Sequence, residues 1–168
     1  KLNNSKYLQW LSATSKAGEQ VLMGFSAPPN ESTVVKVLRK SQYNEGARPT
    51  LTRTVQALKQ KYGEPSIDKN DRAMTRQLVW LHDQEGKKMS APTANHELHC
   101  ANASVDNAML SQQQDEVFEL CGDALTILLE TGTNSSAGGK NTQSNELAGG
   151  ITTGLINVTD IIRTSQET

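Results

Sequence analysis

Between Thr50 and Ser66 the apolar residues Leu51, Val55, Leu58 and Tyr62 fall at steps of four, three and four, the spacing that stacks side chains along one side of an α-helix. Arg53, Gln56, Lys59, Gln60 and Lys61 take the opposite side, where long polar chains stay solvated. Thr50 is the predicted N-cap, its hydroxyl placed to accept from a first-turn amide. Gly63 and Pro65 end the segment, because glycine accepts the left-handed backbone of a helix C-terminus and proline blocks continuation. The spacing thus predicts a helix over 51–62. A helix of about three turns is marginal alone, so its apolar face needs a partner surface.

That surface is predicted to be a sheet. Residues 19–26, 33–43, 73–82, 124–130 and 147–159 carry β-branched or alternating apolar residues bounded by turn formers, the pattern of strands. Leu78-Val79-Trp80-Leu81 is apolar on both faces, as in an interior strand with the helix on one side and a further element on the other. Pro28-Pro29 separates the first two strands, Gly86 closes a turn after the third, and glycines 149, 150 and 154 in the last predict a bulge or a close backbone approach. Residues 67–72 read as a charged connector. Residues 1–18 read as an N-terminal helix or attachment segment, with Tyr7, Leu8, Trp10 and Leu11 on one helical face, and a short helix is expected through Val117, Leu120 and Cys121. Residues 131–146 are low in complexity and read as a mobile loop inside a single domain over 19–168. The expected fold class is α+β: a mainly antiparallel sheet of four to five strands with the amphipathic helix 51–62 packed on one face. A ferredoxin-like split β-α-β arrangement is the alternative the same element order allows.

Composition sharpens this in one respect. Hydrophobic residues are 35% and aromatics 4% of the 168, with a mean hydropathy of -0.56, so the core is thin and a staple or partner would help it. The two cysteines, Cys100 and Cys121, would supply about 3 kcal/mol if bridged, by the chain-entropy argument. The bridge is expected and points to a periplasmic or extracellular location. No run approaches the roughly twenty apolar residues of a transmembrane segment. The chain begins Lys1-Leu2-Asn3, which fits a cleaved leader and a trimmed chain equally.

Candidate chemistry concentrates at His96-Glu97-Leu98-His99-Cys100, where imidazole, carboxylate and thiol are all metal-ligand types. The zinc-hydrolase pattern places its histidines four apart on one helical face, whereas these are three apart; His82 is the remaining histidine. His96, Glu97, His99 and His82 are therefore candidate ligands of an alternative, metal-dependent hydrolase. Cys121 with His96 or His99 as base would be a thiol nucleophile, an arrangement the expected bridge removes. Residues 36–88 hold twelve Lys and Arg against six Asp and Glu, a net of +6, against -7 for the remainder. A polyanion-binding face of Lys36, Arg39, Lys40, Arg53, Lys59 and Lys61 is the second alternative. Few aromatics interleave these cations, so nucleic acid is not the expected partner. Neither a dinucleotide fingerprint nor a phosphate-binding loop is present. The leading expectation is a non-catalytic, exported α+β domain without a cofactor, whose partner is another protein or a larger parent chain.

Overall fold

The structure, a computed structural model, describes residues 10–25, 33–70, 74–106, 120–135 and 141–157. Seven strands form one sheet: β1 (Trp10–Thr14), β2 (Gln20–Phe25), β3 (Val34–Ser41), β4 (Ile67–Asn70), β5 (Thr75–His82), β6 (Asp123–Glu130) and the last strand, Gly150–Asn157. Between β6 and that last strand, β7 (Thr133–Ser135) and β8 (Asn141–Gln143) form a separate antiparallel pair, so the last strand is β9. The order in the large sheet is β1-β2-β3-β9-β6-β5-β4, and every ladder is antiparallel. Strand β9 thus joins two three-stranded meanders, β1–β3 and β4–β6. The fold is α+β as expected, but with seven strands in place of four to five, and no parallel pair of the kind a split β-α-β unit needs occurs among the described residues.

The additional strands are the two edges. Trp10–Thr14, expected on a helix, is strand β1. The charged connector supplies β4, whose Ile67 alternates with Asp68 against Val79 and Leu78 of β5. Inside the expected loop, residues 133–135 and 141–143 pair, while 136–140 lie outside the described residues. Of the helix expected through Val117, Leu120 and Cys121, Val117 lies outside them as well, while Leu120 is helical and Cys121 is already outside the helix.

Helix α1 spans Leu51–Tyr62, as its spacing predicts, and Gly63 closes it with φ 78°. Its N-terminus is capped differently from expectation, because Thr50 makes no side-chain cap. Asn145 reaches across instead: its backbone carbonyl accepts from the Leu51 amide at 2.6 Å, and its side-chain oxygen accepts from the Thr52 amide at 3.3 Å and the Thr52 hydroxyl at 3.0 Å. Val55, Leu51 and Leu58 pack on one sheet face against Leu78, Trp80, Ile127, Leu129 and Leu147. The Trp80 indole N–H donates to the Gly63 carbonyl at 3.0 Å, which ties the helix end to β5.

The opposite face is covered by a second helical layer, α2, over residues 94–105, made of Ala94–His96, a π turn at Glu97–Ala101 and Asn102–Val105. Cys100, on its buried side, lies at disulfide distance from Cys121, with Cα atoms 6.1 Å apart. Both are buried with Val79, Leu81, Ala101, Ala124 and Ile156. The contact is close because small residues make it. A Cβ on Gly154 of β9 would stand 2.1 Å from the Ser104 carbonyl oxygen, and the Thr126 hydroxyl donates to the Ala101 carbonyl at 3.2 Å. Two cores, one per face, therefore share the strands β5, β6 and β9.

Candidate binding face

Of the residues singled out by their chemistry, most are held in structural roles. His96 closes a capping box: its ring Nδ1 accepts from the Thr93 amide at 3.0 Å, while the Thr93 hydroxyl faces its amide. Glu97 pairs with Lys69 of β4. Cys100 is spent on the pair with Cys121. His82 is engaged on the sheet, where its Nδ1 meets the Asp123 carboxylate at 2.5 Å, across the β5–β6 register; the neighbouring Asp83 carboxylate accepts from the Glu85 and Lys87 amides of its own turn. Among the described residues no three His, Cys, Asp or Glu side chains converge as a metal site.

The six cations are likewise dispersed. Lys36 is buried, and its ammonium donates to the Ala103 carbonyl at 2.7 Å and to the Asp106 carbonyl, where it closes the C-terminal end of α2. Burial pushes its pKa below the usual lysine value, against the opposing pull of Asp106. Arg39 pairs with Glu19, whose carboxyl is held low by that guanidinium and by Ser41. Lys59 bridges Glu64 and Asp68, each at 3.1 Å, and Lys61 lies over the Tyr62 ring. Arg53 stands exposed on the outer side of α1. Lys40 lines the depression described below, and Arg39, two positions from Val37 on β3, stands on the same sheet face as the apolar row described next.

The two helical layers share the same half of the sheet; α2 reaches β3 at Lys36, and the rest of the wing β1–β2–β3 extends beyond both. The register carries an apolar row straight across it: Leu11 faces Met23, Met23 faces Val37, Val37 faces Leu155, Leu155 faces Leu125, and Leu125 faces Trp80. The Trp80 end packs beneath α1, with the Tyr62 and Trp80 ring centroids 5.3 Å apart. At the other end Leu11 is 52% and Leu155 39% exposed, with Met23 and Val37 half-buried between them. An apolar row is covered where a helix lies on it and bare where none does.

On the reverse of the same wing lies an open depression of about 360 Å³, within the size range of ligand pockets. Leu22 and Leu38 form its floor, Trp10 stands at one end and Lys40 at the other, with Ser12, Thr14 and Gln20 along the rim. Of these wing residues only Lys40 was a candidate site residue from the sequence, while Trp10 and Leu11 were expected on a helical face. The signal that could have found them is the i, i+2 sharing of faces by Leu11 with Ala13 and by Val35 with Val37. Compared with known proteins, the chain matches no family model, no curated protein and no solved structure.

Proposed function

We propose that this chain is a non-catalytic, exported domain, periplasmic or extracellular, that binds a protein partner or a larger parent chain through the bare face of β1, β2, β3 and β9. The observation that carries it is the apolar row Leu11-Met23-Val37-Leu155, in register with the covered row but without a covering layer among the described residues. Scattered apolar residues are ordinary on a surface, whereas a contiguous apolar row marks a contact face. Leu11 and Leu155 each retain about half of a leucine's burial energy for a partner, on the order of 1 kcal/mol apiece. The Cys100–Cys121 pair supports an oxidising compartment. Neither the metal-dependent hydrolase nor the polyanion-binding alternative is favoured by a specific observation of the site.

The test is site-specific photo-crosslinking of the full chain in its own cells, with the probe at position 155 or, as control, at position 56 on the outer side of α1. Adducts of one defined mass at 155 and none at 56, reduced by Val37→Lys, are expected. No adduct at 155, or equal labelling at both positions, sinks the proposal. Intact mass of the same protein, lower by two hydrogens before reduction, checks the compartment.

A further inference from the structure

The two edges of the sheet are unlike. Strand β4 is four residues long and charged: Asp68 is tied to Arg76 at 2.8 Å and to Lys59 at 3.1 Å, and Lys69 to Glu97. Short, charged edges are how proteins prevent strand addition. Strand β1 has none of this. Its five residues, Trp-Leu-Ser-Ala-Thr, include no charge and no proline, and among the described residues no strand lies on its outer side.

The hairpin fixes which backbone groups of β1 point outward. The Ser15 amide donates to the Glu19 carbonyl at 2.8 Å, and the Gly18 amide to the Ser15 carbonyl at 3.0 Å. Ser15 and Glu19 are therefore a hydrogen-bonded pair, and because such pairs alternate with non-bonded ones in an antiparallel ladder, Ala13–Val21 and Leu11–Met23 are bonded pairs too. The amides and carbonyls of Trp10, Ser12 and Thr14 then face away from β2. This set of three donors and three acceptors is complementary to itself. If a second β1 runs antiparallel with Ser12 opposite Ser12, Trp10 falls opposite Thr14, and all six outward groups of each copy exchange hydrogen bonds. The side chains agree with that register, since the large Trp10 and Leu11 stand beside the small Thr14 and Ala13, and Ser12 beside its own hydroxyl. No charge is buried anywhere along the seam.

We propose that β1 is a self-association edge, through which two copies of this chain pair antiparallel about a two-fold axis at Ser12 and join their seven-stranded sheets into one. The two-fold axis runs perpendicular to the sheet. It places both apolar rows on one face and both depressions on the other, so a monomer's narrow binding wing becomes a continuous double-width surface. The edge argument rests on the backbone groups and side chains of β1 and does not depend on the partner proposed for the apolar face.

Sedimentation equilibrium on the full chain, with hydrogen exchange on the same samples, tests it. The expected mass rises with concentration toward twice the 18.3 kDa of one chain. The Trp10, Ser12 and Thr14 amides gain protection over the same range, while those of Leu11 and Ala13, already bonded to β2, do not change. Ser12→Pro removes the axial amides, and because proline is tolerated where an edge N–H faces solvent, the monomer should keep its circular dichroism. Dimer affinity should fall by about 10- to 100-fold, as expected for two lost backbone hydrogen bonds. Leu155→Lys, which bears on the partner face, should leave the dimer intact. A chain that stays monomeric to about 1 mM, protection without the odd-even alternation, or a dimer undiminished by Ser12→Pro overturns the proposal. If Ser12→Pro does not fold, the exchange pattern of the unaltered chain decides alone.

Discussion

The position of α2 on the sheet makes a sharp prediction at Gly154. An added Cβ there would stand 2.1 Å from the Ser104 carbonyl oxygen, 2.5 Å from its carbon and 2.9 Å from the Val105 Cγ1. Ordinary contact requires separations of about 3.5 Å, so Gly154→Ala forces the α2 backbone outward by roughly 1 Å or more. The layer cannot simply float upward. Cys100 tethers it to Cys121, the Thr126 hydroxyl holds the Ala101 carbonyl at 3.2 Å, and the Lys36 ammonium holds the Ala103 carbonyl at 2.7 Å. A displacement of that size breaks at least the Thr126 bond, which contributes about 1 kcal/mol, and the overpacking adds about 1–3 kcal/mol. The expected destabilisation is about 2–4 kcal/mol. Gly24 is the internal control, on the same sheet face. A Cβ there meets only the Lys36 Cβ at 3.5 Å, so Gly24→Ala should be neutral or stabilise by about 0.5 kcal/mol through loss of unfolded-state freedom. Urea unfolding of both variants, with the denaturant dependence unchanged, gives the comparison. If Gly154→Ala costs no more than Gly24→Ala, α2 does not rest on β9 in the way described.

Three further outcomes follow from the same contacts. Replacing Cys100 and Cys121 together by alanine should cost about 3 kcal/mol or more in urea unfolding; an unchanged midpoint would mean the pair stabilises nothing. Asp68 is held below the usual carboxylate range chiefly by the Arg76 hydrogen bonds, with Lys59 adding to them against the cost of burial, so its contribution is present above the ordinary aspartate pKa and is lost as pH falls through the lowered value. Asp68→Asn should therefore reduce stability at neutral pH and converge with the unaltered chain in acid, and a difference independent of pH would contradict that assignment. Lys36 has the opposite sign from a usual paired lysine. Its folded pKa lies below its unfolded one, so the unfolded chain binds more protons between the two and this group's contribution improves as pH rises through that window. Lys36→Met should flatten the alkaline side of the stability profile, and a profile of unchanged slope would sink the burial argument.

What could be read from the chain divides according to where each element's partner is encoded. Helix α1 was legible because its stripe, Leu51, Val55 and Leu58, and its stop at Gly63 are local. Strand β5 was legible as interior because Leu78 to Leu81 must be covered twice, and the structure supplies α1 on one side and α2 on the other. Helix α2 was not, because its contact surface is Cys100, Ala101 and Ser104. Small residues give no hydrophobic periodicity, and they suffice only because Gly154, some fifty positions later in the sequence, leaves room for the backbone itself. The N-cap of α1 escaped for a related reason, since Asn145 lies in a stretch whose composition promises no order.

Lys36 and β1 were misread for a different reason, and together they bear on function. A lysine in a basic stretch suggests a solvated face, yet its alternation with Leu38, which is also buried, places it on the side that α2 covers. The charge then serves the carbonyls at the end of a helix, and the polyanion surface loses its first member. Strand β1 resembled a helix because Tyr7, Leu8, Trp10 and Leu11 are spaced as on one helical face, and the alternation Leu11-Ser12-Ala13-Thr14 that follows is short. A longer alternation is imposed by a buried face, and β1 has none: α1 and α2 bear on β5, β6 and β9, with α2 reaching β3 at Lys36, so neither side of β1 is selected for a core. Residues there are free to answer to something outside the described fold. The wing's apolar row, its depression and its neutral edge all lie toward the β1 side of the sheet, away from the two helical layers among the described residues.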